Sequence, residues 1–599
     1  MNGLFLHTSN RLEVLVEQLA ELTLEPLPSP LLPEVVLVQS VGMSRWLTLQ
    51  LARLTGVCMN CQFPFPRTFI NHSLKEKGLE LSDRFTPEWM TWMIHAQLPA
   101  LLEDPAFAPV AHYVQRHGDD PIKRYQLSRR LANLFDQYLV YRPELILAWE
   151  DQPGMAEEGD AAWEAILWRR LNPPENRQLH FARALNMLAE RPGMTPGQRI
   201  SIFGISSLPP AQVEILFHLA ADRPVHLFLL SPSSEYFGDD LTPKQRAKRG
   251  LPAPAEGEGG NPLLTSLGRL NAHFTEILLE ANERAGYRMV DQSEVYLPPE
   301  GESLLMRLQR DLLYATLPRP QPYDPADDSI AIHVCHSEMR EVEVLCDQLL
   351  NLFDNDPELL PRDVLVMAPN IEKYAPFIHA VFGNPEQPGL RIPYSIADRH
   401  PRSESLVIDT FLRLLELPTS RCTANQIYSL LQGAPLKAKF QFSDDDLEQI
   451  RLWIDESGIR WGLNLAHRQR LGIADFEENT WQHGLDRLLL GYAMPGRNRV
   501  LFEGILPHDD VEGESAELLG RFASALEAIT QTVEALGQTR PLAEWPPVLE
   551  QVLTRFFDES RADEQDGQAI RHLRAAINRL GELAHSTRPD QPVAFEVLD

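Results

Sequence analysis

The hydrophobic positions of the first 85 residues follow helical spacing in some stretches and strand spacing in others. Leu12, Leu15, Val16 and Leu19 recur every three or four residues, which predicts an amphipathic helix. The stretch VVLVQSVGMSRWL (residues 35–47) then predicts a buried strand, a tight glycine turn and the opening of a second helix. Elements in this order are typical of an α/β domain.

Helical periodicity dominates the next hundred residues, from about 86 to 190. Strands return in RISIFGISSLPP (199–210) and PVHLFLLSP (224–232), with a helical segment between them. Strand, helix and strand at this spacing predict a βαβ unit and therefore a parallel sheet. We expect residues 1–85 and 191–316 to form one α/β domain, with residues 86–190 as a helical insertion.

A proline-rich stretch, LPRPQPYDPADD (317–328), predicts a linker because its prolines block both helices and central strands. Beyond it, SIAIHVCHS, a helix from about Arg340 to Phe353 and RDVLVMAPN repeat the strand–helix–strand pattern. Residues 329–400 are therefore expected to begin a second α/β domain.

Residues 401–599 return to helical spacing, which predicts a helical domain. The final residues, QPVAFEVLD, have the pattern of an approach to another strand. We therefore expect the chain to be truncated at its C-terminus.

Composition limits the possible partners. The formal net charge of −29 argues against a protein that coats nucleic acid indiscriminately, because phosphate contacts need a cationic surface, but it leaves room for a basic channel in an acidic body. Only eight residues are lysines. The excess of arginine suits planar contacts with phosphate or guanine, and a GC-rich coding sequence would produce the same bias.

The cysteines and the apolar runs indicate the compartment. Five cysteines in 599 residues cannot form a disulfide framework, which agrees with a reducing compartment. Cys58 and Cys61 form a C-x-x-C without a second ligand pair nearby, so no metal site is predicted. Early charges at Arg11 and Glu13, and the lack of an apolar run long enough for a membrane span, predict a cytoplasmic protein without membrane contact.

Two α/β units with helical insertions suggest a superfamily-one helicase, whose ATP chemistry needs a glycine-rich loop with Lys and an acidic pair after a neighbouring strand. No Gly-Lys dipeptide occurs in the chain. The strand RISIFGISS ends in Gly204, Ile205, Ser206 and Ser207, where an Asp-Glu pair would be needed. The predicted fold is two helicase-like parallel-sheet domains without ATPase motifs, and we expect no catalytic residues and no cofactor bound by this chain.

One acidic stretch matches a helicase box letter for letter. It is DEQD (563–566), within the polar segment FFDESRADEQDGQ. Because this segment is not the tip of a buried strand, we expect a solvated loop there.

One helix carries a candidate binding face. In residues 125–142, helical spacing predicts an apolar stripe of Leu127, Leu131, Leu134, Tyr138 and Tyr141. The same spacing gathers Arg129, Asn133, Asp136 and Gln137 on a polar face. Amides and carboxylates pair with the exposed edges of unstacked bases, although an ordinary solvated helix face has the same pattern.

Long, ordered segments of the chain resemble the RecC family, the RecC subunit of the bacterial RecBCD helicase–nuclease, exodeoxyribonuclease V. The segments are HTSNRLEVL (7–15), LVQSVGMSRWL (37–47), NLFDQYLVYRP (133–143), GISSLPP (204–210), NPLLTSLGRL (261–270), IHVCHSEMREVEVL (332–345), PYSIADR (393–399), ESGIRWG (456–462) and LLLGYAM (488–494). The similarity runs in order along essentially the whole chain.

The resemblance implies a helicase fold that has lost its ATPase sites and holds the RecB and RecD motors in a heterotrimer. The partner subunits would use ATP and magnesium. Double-stranded DNA ends would be unwound, and the single strands would be threaded through this subunit, where the 3′-ending strand is scanned for the Chi sequence during repair of double-strand breaks by homologous recombination.

The resemblance also implies a Chi-reading surface. Carried over position by position, it comprises Gln39, Val41, Arg45, Phe65, Asn71, Asn133, Leu134, Asp136, Gln137, Arg142 and Arg183. Leu134 belongs to the predicted apolar stripe, so a base contact there would come from the edge of the helix.

Five of these positions depart from the enterobacterial pattern. Val41 and Arg45 replace Thr and Gln, Phe65 and Asn71 replace Leu and Trp, and Asn133 replaces Asp. Arginine prefers guanine or phosphate where an amide prefers adenine, and the loss of Trp removes a stacking surface. Either a different Chi is read or recognition is weakened. The departures also leave open the alternative of a pure assembly scaffold for the two motors without sequence reading.

Overall fold

Six parallel strands from widely separated parts of the chain form one sheet. They are β1 (Gly3–Ser9), β2 (Glu34–Leu37), β3 (Cys61–Gln62), β4 (Ile200–Phe203), β5 (Pro224–Leu230) and β6 (Met289–Glu294). Their spatial order is β3-β2-β4-β5-β1-β6, and every neighbouring pair is parallel. The parallel sheet and the βαβ unit predicted for residues 199–232 are confirmed.

The computed structural model describes most of the chain and divides it into two units. Outside the described residues lie 1, 30, 116–119, 152–161, 190–197, 249, 251, 253–259, 287–288, 323, 384–390, 398–401, 403–404, 474, 495–500, 509–514, 561–562, 588–591 and 598–599. Unit 1 comprises Met1–Ile94, Leu102–Pro109 and Ser128–Ile332, and unit 2 comprises His95–Leu101, Val110–Leu127 and His333–Asp599.

In the first half of the chain, fourteen described α-helices are interspersed with the sheet strands along the sequence. They are α1 (Leu12–Leu24), α2 (Val41–Thr55), α3 (Pro66–Glu76), α4 (Pro87–Leu101), α5 (Ala108–Gln115), α6 (Pro121–Tyr141), α7 (Pro143–Asp151), α8 (Ala162–Leu171), α9 (Phe181–Ala189), α10 (Pro210–Ala220), α11 (Pro243–Lys248), α12 (Pro262–Leu267), α13 (Arg269–Arg284) and α14 (Leu304–Leu313). The helical block expected between about 86 and 190 is present as α4 to α9.

The regular elements described in the second half are helices, joined by turns and extended segments. The helices are α15 (Glu338–Asn355), α16 (Ile371–Gly383), α17 (Leu406–Leu415), α18 (Ala424–Leu431), α19 (Ala434–Phe440), α20 (Asp444–Glu456), α21 (Leu465–Arg470), α22 (Trp481–Ala493), α23 (Ser515–Leu536), α24 (Trp545–Phe556) and α25 (Glu564–Thr587). The expected helical character of residues 401–599 is confirmed for the part that the structure describes.

Helices cover both faces of the sheet because side chains alternate along each strand. Val36 and Phe203 face one side, in a buried cluster with residues of α1 and α2. Leu37 and Ile202, each one residue along, face the other side and pack with residues of α3, α9, α10 and α13. The short, continuously apolar strands are those of a sheet buried on both faces.

Three strands were missed from the sequence, and one of them, β3, is only two residues long. β1 lies between β5 and β6 and is therefore a central strand. Its sequence GLFLHTS carries polar residues at its end, and β6 (MVDQSE) at the sheet edge is mostly polar, so neither shows the apolar run of β4. Both owe their conformation to the ladder of hydrogen bonds rather than to their own pattern.

Side chains of the β2–α2 turn and of the first turn of α2 fill the space at the start of α2. Ser40 Oγ accepts a hydrogen bond from the Met43 backbone N–H at 3.1 Å and so caps α2. Gly204, at the end of β4, has φ +63°, and a β-carbon there would lie 3.1 Å from Met43 Cε. The space between the β2–α2 turn and β4 is therefore occupied by a thioether.

The second parallel sheet predicted within residues 329–400 is absent from the described residues. The helix expected near Arg340–Phe353 is present as α15, and it packs against α16 in a small apolar cluster. Val334, Leu365 and Met367, in the two segments predicted as strands, are 95%, 81% and 85% exposed and form no ladder. An extended segment becomes a strand only where a neighbouring strand supplies hydrogen bonds, and none of the described residues does so.

Two smaller predictions are also wrong. The DEQD stretch is not a loop, because Glu564 begins the long helix α25 and the Asp563 carboxylate accepts a hydrogen bond from the Asp566 N–H at 2.8 Å. The end of the chain does not form the predicted strand within its described residues. There Val593 makes an isolated bridge to Arg540, followed by the 3-10 turn Phe595–Val597.

Two histidines within the sheet predict a pH-dependent stability. His7 Nε2 lies 3.1 Å from His226 Nδ1, and burial lowers the pKa of each to about 4. Unfolded histidines take up protons near pH 6.5, so this contribution to stability is present above pH 6.5 and is lost as the pH falls towards 4. Each unit of pKa depression corresponds to about 1.4 kcal/mol.

We expect the free energy of unfolding, measured in urea between pH 7.5 and 4, to fall less steeply in His226→Phe than in the parent chain. His273→Asn, at an exposed position on α13, is the matched control and should keep the parent slope. Equal slopes in all three proteins would contradict the assignment of the pH dependence to the buried pair.

Candidate nucleic-acid interface

A cleft of about 560 Å³ lies beside α3, with the second half of α6 as its opposite wall. Three of the predicted reading residues, Asn71, Asp136 and Gln137, line it together. Asn71 comes from α3 and the other two from α6, so side chains 65 residues apart in sequence share one concave surface. A cleft of this volume with a few convergent polar groups is typical of a ligand site.

Arg67 pairs with Asp136 across this cleft. Its Nη2 donates to Asp136 Oδ1 at 2.8 Å and its Nη1 to Oδ2 at 3.2 Å, a bidentate contact between α3 and α6. The guanidinium side chain is 58% exposed and the carboxylate side chain 21%. Arg67 was missed from the sequence, although it lies one helical turn before Asn71 and so occupies the same face of α3.

The apolar stripe predicted on α6 is wrong except at Leu131, because the buried face is rotated about the helix axis. Leu131, Phe135 and Leu139 are fully buried, whereas Leu134 is half-buried and Tyr141 is exposed. The stripe therefore follows positions 128, 131, 132, 135 and 139 rather than the tyrosines. Tyr141 instead lines the cleft.

The polar face predicted on α6 is confirmed. Arg129, Asn133 and Gln137 are exposed, and Asp136 is half-buried against Arg67. Asn133 and Leu134 lie on the same half of α6 but do not line the cleft.

The β2–α2 corner lies next to the turn that borders the cleft. Gln39 is exposed, and its Nε2 donates to the Ser207 carbonyl oxygen at 3.4 Å. Pro209, two residues further along this turn, lines the cleft. The Val38 backbone N–H donates to the Pro64 carbonyl at 3.2 Å, which holds β2 beside the entry to α3.

Three further predicted residues are exposed on these elements. Val41 and Arg45 lie in the first turns of α2, and Phe65 is the N-cap residue of α3. None of them lines the cleft. The structure therefore gathers Asn71, Asp136 and Gln137 in one surface, whereas Gln39, Val41, Arg45 and Phe65 are exposed outside its lining.

The two predicted arginines at the other end are placed differently from each other. Arg142 is exposed just beyond α6, with its guanidinium carbon 5.9 Å from the Tyr138 ring centroid. Arg183 is committed to an ion-pair network, donating to Glu150 Oε2 at 2.7 Å and to Asp151 Oδ1 at 2.8 Å. Its neighbours His180 and Phe181 line the cleft, while Arg183 stands behind it.

Glu150 is the centre of that network. Its side chain is fully buried and accepts hydrogen bonds from Trp168 Nε1 at 3.1 Å and Asn172 Nδ2 at 2.8 Å, with His180 Nε2 at 2.9 Å. Burial alone would raise the pKa of Glu150, but the contacts with His180, Arg183 and Asn172 outweigh it and lower the pKa to about 2. The ionised carboxylate thereby ties α7, α8 and α9 together behind the cleft wall.

No metal or membrane site emerges from the described residues. No group of three or more His, Cys, Asp or Glu side chains among them is arranged to hold a metal ion. Within the same residues, none of the helices is both long enough and apolar enough to cross a membrane.

We expect Glu150→Gln to destabilise the chain by roughly 3 kcal/mol, because the amide cannot accept all of these donors and leaves buried polar groups unpaired. The measurement is urea-induced unfolding followed by tryptophan fluorescence, since Trp168 donates to this carboxylate. Asp151→Asn, the adjacent and half-exposed acid of the same network, should cost about 1 kcal/mol or less. Equal costs for the two variants would contradict the central role of Glu150.

Comparison with known proteins assigns the family. The model of the RecC N-terminal domain matches residues 4–315, and that of the fourth domain of the RecBCD enzyme subunit RecC matches residues 404–599. The chain is 36% identical to the RecBCD enzyme subunit RecC of Escherichia coli K12 over 606 residues, covering 92% of this chain and 53% of that protein.

Two further relatives with the same name show similar coverage. The identity is 34% to the protein of Mycolicibacterium smegmatis and 32% to that of Haemophilus influenzae, each covering 98% of this chain and 54% and 57% of the relative. The chain thus spans about half the length of the curated relatives it matches. These matches show that the chain belongs to the RecC family.

Proposed function

We propose that this chain is a non-catalytic DNA-binding part of a RecBCD-type helicase–nuclease, which threads the separated strands and inspects the 3′-ending strand for Chi during double-strand break repair. Membership of the RecC family supports the assignment to that complex. The observation that supports the reading role is the cleft that Asn71, Asp136 and Gln137 line together.

The chemistry of the cleft suits unpaired bases. Asn71 and Gln137 offer exposed amides, which pair with the donor and acceptor edges of bases that are not in a duplex. Arg67 neutralises Asp136 and leaves part of its guanidinium exposed, so the pair presents donors rather than a bare negative charge to a polyanion. Exposed Phe65 and Tyr141 add aromatic surfaces near the cleft on which bases stack.

The residues at these positions favour a base preference different from that of the enterobacterial relatives. Arg45 replaces an amide of the enterobacterial pattern with a cation that favours guanine or phosphate, and Asn71 replaces a stacking aromatic. Arg67 adds a guanidinium beside the carboxylate at position 136. We propose that this chain reads an octamer different from that of its enterobacterial relatives.

The helicase-like core would serve as a frame without a motor. The corner where a helicase binds nucleotide phosphates is occupied by Met43 and capped by Ser40, and no Lys stands there. ATP and magnesium would be used by the RecB and RecD partners, which drive DNA through the cytoplasmic heterotrimer. The alternative is a pure assembly scaffold, in which the same corner and cleft carry no recognition.

We expect Asp136→Ala and Gln137→Ala, each in the chain assembled with RecB and RecD, to reduce the response to the cognate Chi at least tenfold while unwinding changes less than twofold. A loss of this size corresponds to about one base-specific contact. The cognate sequence is first found by mapping where the parent complex pauses on random DNA. The measurement is the fraction of complexes that switch at that sequence.

The matched controls are Asp347→Ala and Gln348→Ala, an identical, exposed pair of side chains on α15. They should keep the parent response. Full switching at Chi in both cleft variants, or no sequence-dependent pause in the parent complex, would favour the scaffold.

We also expect the chain alone to hydrolyse no ATP with or without DNA, since the sequence has no Gly-Lys dipeptide and none of the described residues at the β2–α2 corner is placed to hold the phosphates with magnesium. Phosphate release is measured in a preparation free of RecB and RecD. DNA-stimulated turnover that persists through purification would contradict the motor-free frame.

A further inference from the structure

A second cavity, of about 490 Å³, lies on the other side of α3. On α3, Arg67, Asn71 and Lys75 line the first cleft, and Thr68 and Glu76 line the second cavity. His72 lines both. The first cleft and the second cavity are therefore separated by the width of α3 and share the His72 side chain.

Two buried donors in this second cavity are unused. Gln198 Nε2 and Arg223 Nε are inaccessible to solvent and have no hydrogen-bond partner within the described part of the chain. The Arg223 guanidinium lies 3.8 Å from the Glu76 carboxylate, beyond hydrogen-bonding distance. A buried donor without an acceptor costs about 1–3 kcal/mol, so a small rotation of either side chain towards a ligand that supplies acceptors recovers that cost.

The neighbouring Arg199, in contrast, has its side-chain donors paired within the protein. Arg199, which also lines the cavity, donates from Nε and Nη2 to the two oxygens of Glu34 at 2.8 Å each, and from Nη2 to the Glu25 carbonyl. Its donors are directed into the protein and hold the starts of β2 and β4 together. Gln198 Nε2 and Arg223 Nε are thus unpaired donors of residues that line this cavity, while Arg223 Nη2 forms an ion pair with Glu76, and exposed Gln62 adds an amide at the rim.

The walls and charges favour a base over a phosphate. Pro33, Val35, Pro64, Phe69 and Ile200 supply apolar walls. Glu34 offsets Arg199, and Glu76 lies near both Arg223 and His72, so the cavity has no net excess of cationic groups comparable to a phosphate site. A planar, apolar ring with acceptors on its edge matches this combination, and the volume is in the range of small-molecule sites.

Resting on the function proposed above, we infer that this cavity is a second nucleobase pocket, which takes an unstacked base of the same single DNA strand after that strand crosses α3 at His72. Gln198 and Arg223 donate to the acceptor edge of the base. The DNA strand is thereby held in the first cleft and in the second cavity, one on each side of α3. The contact in the second cavity fixes which bases of the strand lie in the first cleft.

The test uses the full chain and fluorescein-labelled single-stranded DNA 12-mers, with affinity measured by anisotropy. The double variant Gln198→Leu, Arg223→Gln should bind about tenfold more weakly, the loss expected for one base contact. Because these side chains are partly buried, Thr68→Trp provides a second route, since it fills the rim from an exposed position without removing a recorded side-chain hydrogen bond. Thr554→Trp, on an exposed face of α24, is the matched control and should bind as the parent does.

Four outcomes separate this inference from the proposed function. Weaker binding in Asn71→Ala and Gln137→Ala but not in either second-cavity variant overturns the second pocket alone. Unchanged binding in all four overturns both the pocket and the DNA-reading cleft. Weaker binding in the second-cavity variants, together with crosslinking of a 4-thiothymidine base to residues 198–223, supports the pocket. If free thymidine monophosphate binds in the cavity of the parent chain while the 12-mer gives no crosslink there, the cavity takes a free nucleotide and the second-pocket inference is wrong.

Discussion

The pairing of β2 with β4 determines where the cleft and the second cavity lie. Val35 and Leu37 pair with Ile200 and Ile202. This ladder closes a loop of about 160 residues, at an entropic cost of about 4–5 kcal/mol beyond a constant. Continuous apolar burial on both faces of the sheet offsets that cost. Once the two strands are adjacent, Gln39 meets Ser207 and α3 lies within reach of α6.

Two buried ion pairs link elements of the same unit. Arg199 joins Glu34 across the starts of the two strands, and Lys77, just after α3, contacts Asp222 in a buried pair at 2.5 Å. Such pairs add little net stability when compared with apolar residues of the same size, but removal of one partner leaves a buried charge. They therefore restrict the strands and α3 to one arrangement, as Glu150 does for the helices behind the cleft.

Much of this architecture was predictable because it is local. The β4–α10–β5 unit and the polar face of α6 follow from spacing within a few turns, and both are present. β1 was not predictable in the same way, since its place between β5 and β6 is set by partners more than 200 residues away. The segments around Val334 and Leu365 show the converse, because a strand-like pattern without a pairing partner among the described residues stays extended and exposed. At the site, the sequence located Asp136, but its partner Arg67 becomes visible only when α3 and α6 are placed side by side.

The thioether at the β2–α2 corner links the local shape of the turn to the packing of the helices above it. Met43 reaches Gly204 within van der Waals distance and joins the apolar cluster beneath α1 and α2. Because Met43 belongs to that cluster, a substitution that opens the corner also removes apolar contacts beneath α1 and α2. The shape of the corner and the stability of the sheet's helical cover are therefore coupled.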